Sequence, residues 1–157
     1  MFGTISQEIE VNVPASQAWE LYGTLQLAKL AEEQLNSVIA KAEVVQGDGK
    51  EGTVVNIVFS PGTCGFSSYK ERFTKVDDEK RVKEAEVVEG GYLDLGFTLY
   101  RVRFEVIEKS KESCITRSTI EYNLKEEAAA NASMVNIQIL GTLMEAAGNY
   151  LTNKNNT

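Results

Sequence analysis

The sequence predicts an α+β domain: a curved seven-stranded antiparallel sheet wrapped around a long C-terminal helix, with two short helices, enclosing a hydrophobic cavity. Three observations predict it. Short stretches of alternating apolar and polar residues follow one another in hairpin order, separated by glycine-bearing turns. From Lys125 the period becomes helical: Ile137, Leu140, Met144, Ala147 and Leu151 form one row beside Val135, Ile139, Leu143 and Ala146, an apolar face of roughly 25 residues that must cover something large. The last strand turns Cys114, Thr116, Ser118, Ile120 and Tyr122 to one side, a face that suits a wet cavity better than a dry core.

In chain order, residues 3–11 place Ile5, Ile9 and Val11 opposite Thr4, Ser6, Glu8 and Glu10, a half-buried strand. Pro14 then opens a short helix carrying Trp19, and a second short helix covers about 27–35; both are too short to stand alone. Strands at about 37–46 and 54–60 flank Gly47-Asp48-Gly49-Lys50-Glu51-Gly52-Thr53. A glycine-rich loop between two strands is not a phosphate loop leading into a helix, so nucleotide binding is not expected. A hairpin follows over 68–87, and glycines 90 and 91 permit the next turn. The strand expected over 92–108 changes its apolar phase near Gly96, where Leu93 and Leu95 give way to Val102, Phe104 and Val106, as a bulge would produce. The last strand covers about 112–124.

The 157 residues make a single domain, expected over 1–152, with a frayed polar tail at 153–157. A net charge of −7 argues against nucleic acid. No charged-then-apolar leader is evident and no apolar run approaches the roughly 18 residues of a membrane helix, so a soluble cytoplasmic protein is expected. Cys64 and Cys114 are too few for a disulfide framework and read as free thiols. With no histidine at all, His-based catalysis and His-containing metal sites are excluded. No metal or cofactor is expected; Tyr, Glu, Asp or Lys must move any protons.

The 68–87 hairpin carries charge where a core should be. Tyr69, Glu71 and Phe73 share one face of its first arm, and Lys83 alternates with Ala85 and Val87 on the return arm. If Phe73 faces Lys83 across a three-residue loop centred on Asp78, Glu71 faces Ala85 and lies diagonally from Lys83, roughly 7–8 Å away. Alternation alone leaves a surface ion pair, worth about 0–1 kcal/mol, as the other reading of this trio.

The glycine-rich loop, the run Tyr69-Lys70-Glu71-Arg72-Phe73, Lys83, and Glu89-Gly90-Gly91-Tyr92-Leu93-Asp94-Leu95-Gly96 resemble the plant class-ten pathogenesis-related family, relatives of the major birch pollen allergen. Lys50 and Glu51 stand where that family's loop has Gly and an apolar residue. The element order agrees over the whole chain, which implies that family's helix-grip, START-like fold. Within the family these segments are most similar to norcoclaurine synthase-like proteins, and Ala129-Ala130-Asn131-Ala132-Ser133 is similar to norbelladine synthase-like ones. The resemblance implies condensation of dopamine or a related aryl-ethylamine with an aromatic aldehyde, in plant alkaloid biosynthesis. Either a ring closes in a Pictet–Spengler-type step, or an imine is left for a downstream reductase. It also implies roles: Lys83 contacts the aldehyde oxygen, Glu71 accepts a proton, and Tyr69 positions the substrates. Phe59, Phe73, Val87, Tyr100, Val102, Phe104, Leu140 and Met144 are the expected substrate-binding residues, with Gly47, Asp48, Gly49 and Gly52 forming the loop. The family enzyme has an aspartate where this chain has Val102. The alternative function is a non-enzymatic carrier of apolar plant ligands such as cytokinins or flavonoids, with a defence-related role.

Overall fold

A computed structural model describes residues 1–155 of the chain. Strands β1 (Phe2–Val11), β2 (Ile39–Gln46), β3 (Val54–Phe59), β4 (Ser68–Asp77), β5 (Val82–Gly90), β6 (Phe97–Ser110) and β7 (Ser113–Leu124) form one antiparallel sheet in the order β1-β7-β6-β5-β4-β3-β2. Helices α1 (Ala15–Tyr22) and α2 (Gln26–Gln34) carry the chain from one edge strand to the other, and α3 (Gln138–Asn155) closes the fold. This is the architecture the sequence predicts.

Alternation decides which face of each strand is buried. Strand β7 buries Cys114, Thr116, Ser118 and Ile120, and β6 buries Tyr100, Val102, Phe104 and Val106. The outward residues pair by charge: Arg101 meets Glu86 at 2.6 Å and Glu84 at 3.3 Å, and Arg103 bonds Glu121. Such cross-strand pairs help fix the register. On the inward side α1 packs on β6 and β7, α2 against β2, and α3 against β1, β7 and α2. The core therefore fills the β7 side of the sheet, while α2 and α3 leave a cavity over β3 to β6.

Two elements differ from the sequence reading. Residues 91–95 are a 3-10 turn, not the start of a strand; Gly90 and Gly91 enter it with positive φ, and Gly96 ends it in the left-handed region at φ 90°. The phase slip arises from this turn together with Thr98, the extra residue between the pairs Phe97–Leu124 and Leu99–Asn123, rather than from a bulge at Gly96. The long C-terminal helical pattern is also split. Glu126–Met134 forms 3-10 turns and Val135 is extended; the Asn136 side chain then accepts the Gln138 N–H at 2.8 Å, and α3 begins there. An Asn side chain that bonds the backbone two residues on starts helices and does not continue them. At the other end α3 runs through 153 to 155, where a frayed tail was expected; Asn156 and Thr157 lie outside the described residues. No helix among the described residues is long and apolar enough to cross a membrane.

Candidate active site

The β4–β5 hairpin supplies the charged groups, in a register that differs from the expected one. Phe73 pairs with Ala85, Glu71 with Val87, and Lys83 with Val76. Thr74 is an extra residue on β4 and Val88 on β5, and the connecting turn spans residues 78–81, with Arg81 at φ 56°. The bulges move Lys83 from opposite Phe73 to a position diagonal from it. Its Nζ lies 4.8 Å from the Phe73 ring centroid and 5.5 Å from that of Phe104, the residue paired with Lys83 across β6. An ammonium held over two aromatic faces gains cation–π attraction that partly replaces lost hydration.

Lys83 is 3% exposed, and the one hydrogen bond of its ammonium among the described residues is to the Thr24 carbonyl, at 3.4 Å. That carbonyl lies just beyond the C-terminal end of α1, the end of a helix that favours a cation. Glu71 makes no ion pair within 4 Å among the described residues, so the two charges act on one another only through the cavity. Burial pushes the Glu71 carboxyl up to about 7, against the pull of Lys83. It pushes the Lys83 ammonium down to about 8, against the pull of Glu71. Desolvation thus wins for both, and both reach the range useful for proton transfer near neutrality. Burial, reinforced by the Glu71 charge, holds the Tyr69 phenol well above its ordinary range, so it acts as a neutral hydroxyl.

These groups line a cavity of ≈ 100 Å³ between the sheet and α2 and α3. Tyr69, Glu71 and Lys83 share it with Phe59, Phe73, Val102, Phe104 and Leu140. Val87, Tyr100 and Met144 are buried elsewhere. Val87 stands behind Glu71 on β5; Tyr100 stacks on Tyr92, with ring centroids 3.7 Å apart; Met144, fully buried, belongs to the core. Met144 lies on the closed side because α3 presents Ile139, Leu140 and Leu143 to the cavity and turns the next residue away from it. Leu27, Ala28 and Ala31 of α2, with Ile39, Ile57 and Ala85 of the sheet, complete the wall and were not singled out. For the α2 residues the helix's apolar stripe was the one signal, and a stripe does not reveal which of its members faces a space. The polar face of β7 does not line the cavity. A larger hollow of ≈ 350 Å³ lies between α1, α2 and α3, but its polar residues Gln26, Lys29 and Glu33 are exposed to solvent and gather no chemistry.

The glycine-rich loop, including Asp48, stays off the cavity wall and braces the hairpin from behind. Gly52 N–H donates to Phe73 O, and Phe73 N–H donates to Thr53 O, each at 2.8 Å; the Glu51 carboxylate accepts Val76 N–H at 3.2 Å. The buried Thr53 hydroxyl accepts Gly49 N–H and donates to Lys50 O, folding the loop onto itself. At Gly47, with φ 90°, any Cβ would strike that hydroxyl at 2.6 Å, so only glycine fits. Lys50 reaches Asp78 at the hairpin tip, and Asp78 also accepts the Trp19 indole N–H at 2.8 Å. The two residues that depart from the family's loop pattern, Lys50 and Glu51, are thus both hairpin contacts. Among the described residues no three His, Cys, Asp or Glu side chains gather in a way that could hold a metal ion.

The chain is 46% identical over 154 residues to norbelladine synthase of Narcissus pseudonarcissus, covering 98% of this chain and 94% of that one. Its fold superposes on norcoclaurine synthase of Thalictrum flavum. A point mutant of that enzyme bound to a transition-state analogue gives a TM-score of 0.90 at 33% identity, covering 99% of this chain and 97% of that one. The complex of that enzyme with dopamine and hydroxybenzaldehyde gives 0.87 at 33% identity, covering 98% and 88%. Residues 1–154 match the pathogenesis-related protein Bet v 1 family, and the chain belongs to it.

Proposed function

We propose that the protein is a condensing enzyme that joins an aryl-ethylamine such as dopamine to an aromatic aldehyde. One observation carries this: two opposite charges, neither in a direct ion pair, share one apolar cavity, with burial bringing both toward neutral pH. The relatedness to norbelladine synthase and norcoclaurine synthase supports it. The amine adds to the aldehyde carbon to give a carbinolamine. Lys83 as ammonium donates a proton to the departing hydroxyl, water leaves, and a carbon–nitrogen double bond forms. Glu71 as carboxylate takes a proton from nitrogen, giving the imine, or from the aromatic ring after it has attacked the iminium carbon. Tyr69 positions a substrate hydroxyl, and the apolar wall keeps water from reversing the imine. Ligand pockets usually measure about 300–1,000 Å³. Binding of two aromatic substrates therefore displaces wall residues, and the partly exposed Ile139 and Leu140 of α3 are placed to give way. A reductase that consumes the imine is the expected partner, and the cytoplasm the expected place of action.

A carrier of cytokinins or flavonoids is the weaker reading, since an apolar cargo has no use for two desolvated charges. Incubation with dopamine and a set of aldehydes, with and without hydride reductant and read by mass spectrometry, tests the proposal. Trapped secondary amine or cyclised product above the uncatalysed rate supports it. Neither product, with saturable binding of apolar ligands, would establish the carrier.

A further inference from the structure

The polar face of β7 points to a second site, closed off from the first. Tyr22 of α1 and Thr116 and Ser118 of β7 are 1%, 1% and 0% exposed, and their hydroxyls find no hydrogen-bond partner outside the group among the described residues. Burial raises the Tyr22 phenol to about 12, against a hydrogen bond with Thr116 that lowers it, so it is a neutral hydroxyl like the other two. Buried hydroxyls normally have partners, and a group of three with none outside itself needs a common explanation. Phe104 stands between this group and the cavity. It pairs with Lys83 on one side and Ser118 on the other, and its ring centroid lies 5.5 Å from the Lys83 ammonium and 5.8 Å from the Tyr22 ring centroid.

We propose that Tyr22, Thr116 and Ser118 form a buried hydroxyl-binding subsite that holds internal water, with Phe104 as the partition that stops substrates short of it. Internal waters typically make about three hydrogen bonds to otherwise unpartnered buried groups. These three side chains supply both donors and acceptors, so the subsite favours water or the hydroxyl of an alcohol or phenol over an ether, which cannot donate, and over an alkyl end, which makes no hydrogen bond. Phe104 is then a specificity-determining residue, because its ring sets how far a ligand lying beside Lys83 can extend.

Two measurements test this through binding and stability, so they stand whether or not the protein proves to be an enzyme. The first is the sign of the stability change in Thr116→Val and Ser118→Ala. Removing a hydroxyl that bonds water lowers the unfolding midpoint, by about 2–4 °C for a chain of this size. Removing a dry, unpartnered hydroxyl leaves it unchanged or raises it. Lower midpoints, with ordered water within hydrogen-bond distance of at least two of the three oxygens in a high-resolution crystal structure, support the subsite. Unchanged or higher midpoints, or a dry cluster, overturn it. The second measurement uses Phe104→Ala, titrated with 4-hydroxybiphenyl and its methyl ether. The variant favours the phenol by about three- to tenfold, and adding Ser118→Ala and Thr116→Val removes the preference. Equal affinities in Phe104→Ala would show that the partition does not border a hydroxyl site. If that variant fails to fold, Phe104→Leu with the same two ligands decides the question in the same way.

Discussion

The inward faces of β4–β5 and of β7 carry the same sequence signature, polar residues at inward strand positions, and meet opposite fates. On β4–β5, Glu71 and Lys83 face a cavity; on β7, Thr116 and Ser118 lie sealed beneath α1. What lies across from each strand makes the difference. Helix α1 packs directly on β6 and β7, whereas α2 and α3 stand off β3 to β6. The chemistry follows the same division. Ionisable groups occupy the cavity side, where an ammonium can rest on two aromatic rings and a helix-end carbonyl. The closed side holds hydroxyls, which survive desolvation at far lower cost than charges.

The comparison breaks most directly at Lys83. Lys83→Met keeps the stem's volume and removes the charge, so condensation should fall by about 10²–10⁴-fold with the fold intact. A tenfold or smaller loss would leave Lys83 a structural residue. Protonation gives the next largest effect. Glu71 must be ionised to accept a proton, so the rate should drop as pH falls below about 7. Lys83 must be charged to donate one, so the rate should drop again as pH rises above about 8. A bell-shaped profile of kcat/KM with its top between these values is expected, and Glu71→Gln should remove the acid limb. A flat profile across both would mean that neither group exchanges protons in the reaction. Activity should be unchanged by strong chelators, since no metal-holding cluster exists among the described residues.

How much of this was legible in the sequence follows the range of the interaction responsible. Strand order, the long helix and the identities of Tyr69, Glu71 and Lys83 follow from periodicities that each segment carries in itself. The hairpin register does not, because the extra residues Thr74 and Val88 have no local signature in a run of β-compatible side chains. The split before α3 hinges on Asn136, whose side chain can cap a helix or face solvent within one. Met144 and Leu143 are neighbours on one apolar stripe, and only the angle at which α3 approaches the sheet puts Leu143 on the cavity and Met144 in the core. The polar face of β7 was read as cavity wall because polarity marks unfilled hydrogen bonds, and a closed hydroxyl cluster carries the same mark.

Stability should separate the two regions further. The folded Glu71 carboxyl titrates above its ordinary 4.5, so its contribution to stability is present below that value and lost as pH rises through about 7. The folded Lys83 ammonium titrates below its ordinary 10.5, so its contribution is present above that value and lost as pH falls through about 8. Between pH 7 and 8 both charged forms oppose folding. The double variant Glu71→Gln, Lys83→Met should therefore unfold at higher denaturant near neutrality, by about 1–4 kcal/mol, while losing activity. A less stable double variant would mean that the pair holds the hairpin in place. A smaller effect is expected at the hairpin tip. Asp78→Ala removes the acceptor of the Trp19 indole and should cost about 0.5–1.5 kcal/mol, with a few-fold loss of turnover that Asp78→Asn restores. Full activity in Asp78→Ala would show that the tip does not position Lys83.

The smallest and most diagnostic change is at Val102. Val102 lines the cavity, pairs with Ala85 on β5 and Ile120 on β7, and lies diagonally from Lys83, one pair along from Phe104. An apolar residue there leaves Glu71 as the carboxylate of the wall. Imine formation needs protons moved only at the amine and the carbonyl oxygen. Ring closure also needs a proton taken from an aromatic carbon while charge builds on the catechol, a step that one carboxylate already engaged at nitrogen serves poorly. The wild type should therefore release imine in preference to cyclised product. Val102→Asp should raise the cyclised share severalfold, because the new carboxylate, roughly 7–8 Å away along the diagonal, is within reach of the long Lys83 side chain. Pairing there would also draw Lys83 back toward its ordinary range and move the alkaline limb of the pH profile upward. Parallel samples, one trapped with reductant and one untreated, would quantify both products. Efficient ring closure by the wild type, unchanged by the substitution and with the alkaline limb unmoved, would mean that Glu71 alone serves both steps and that Val102 is only wall.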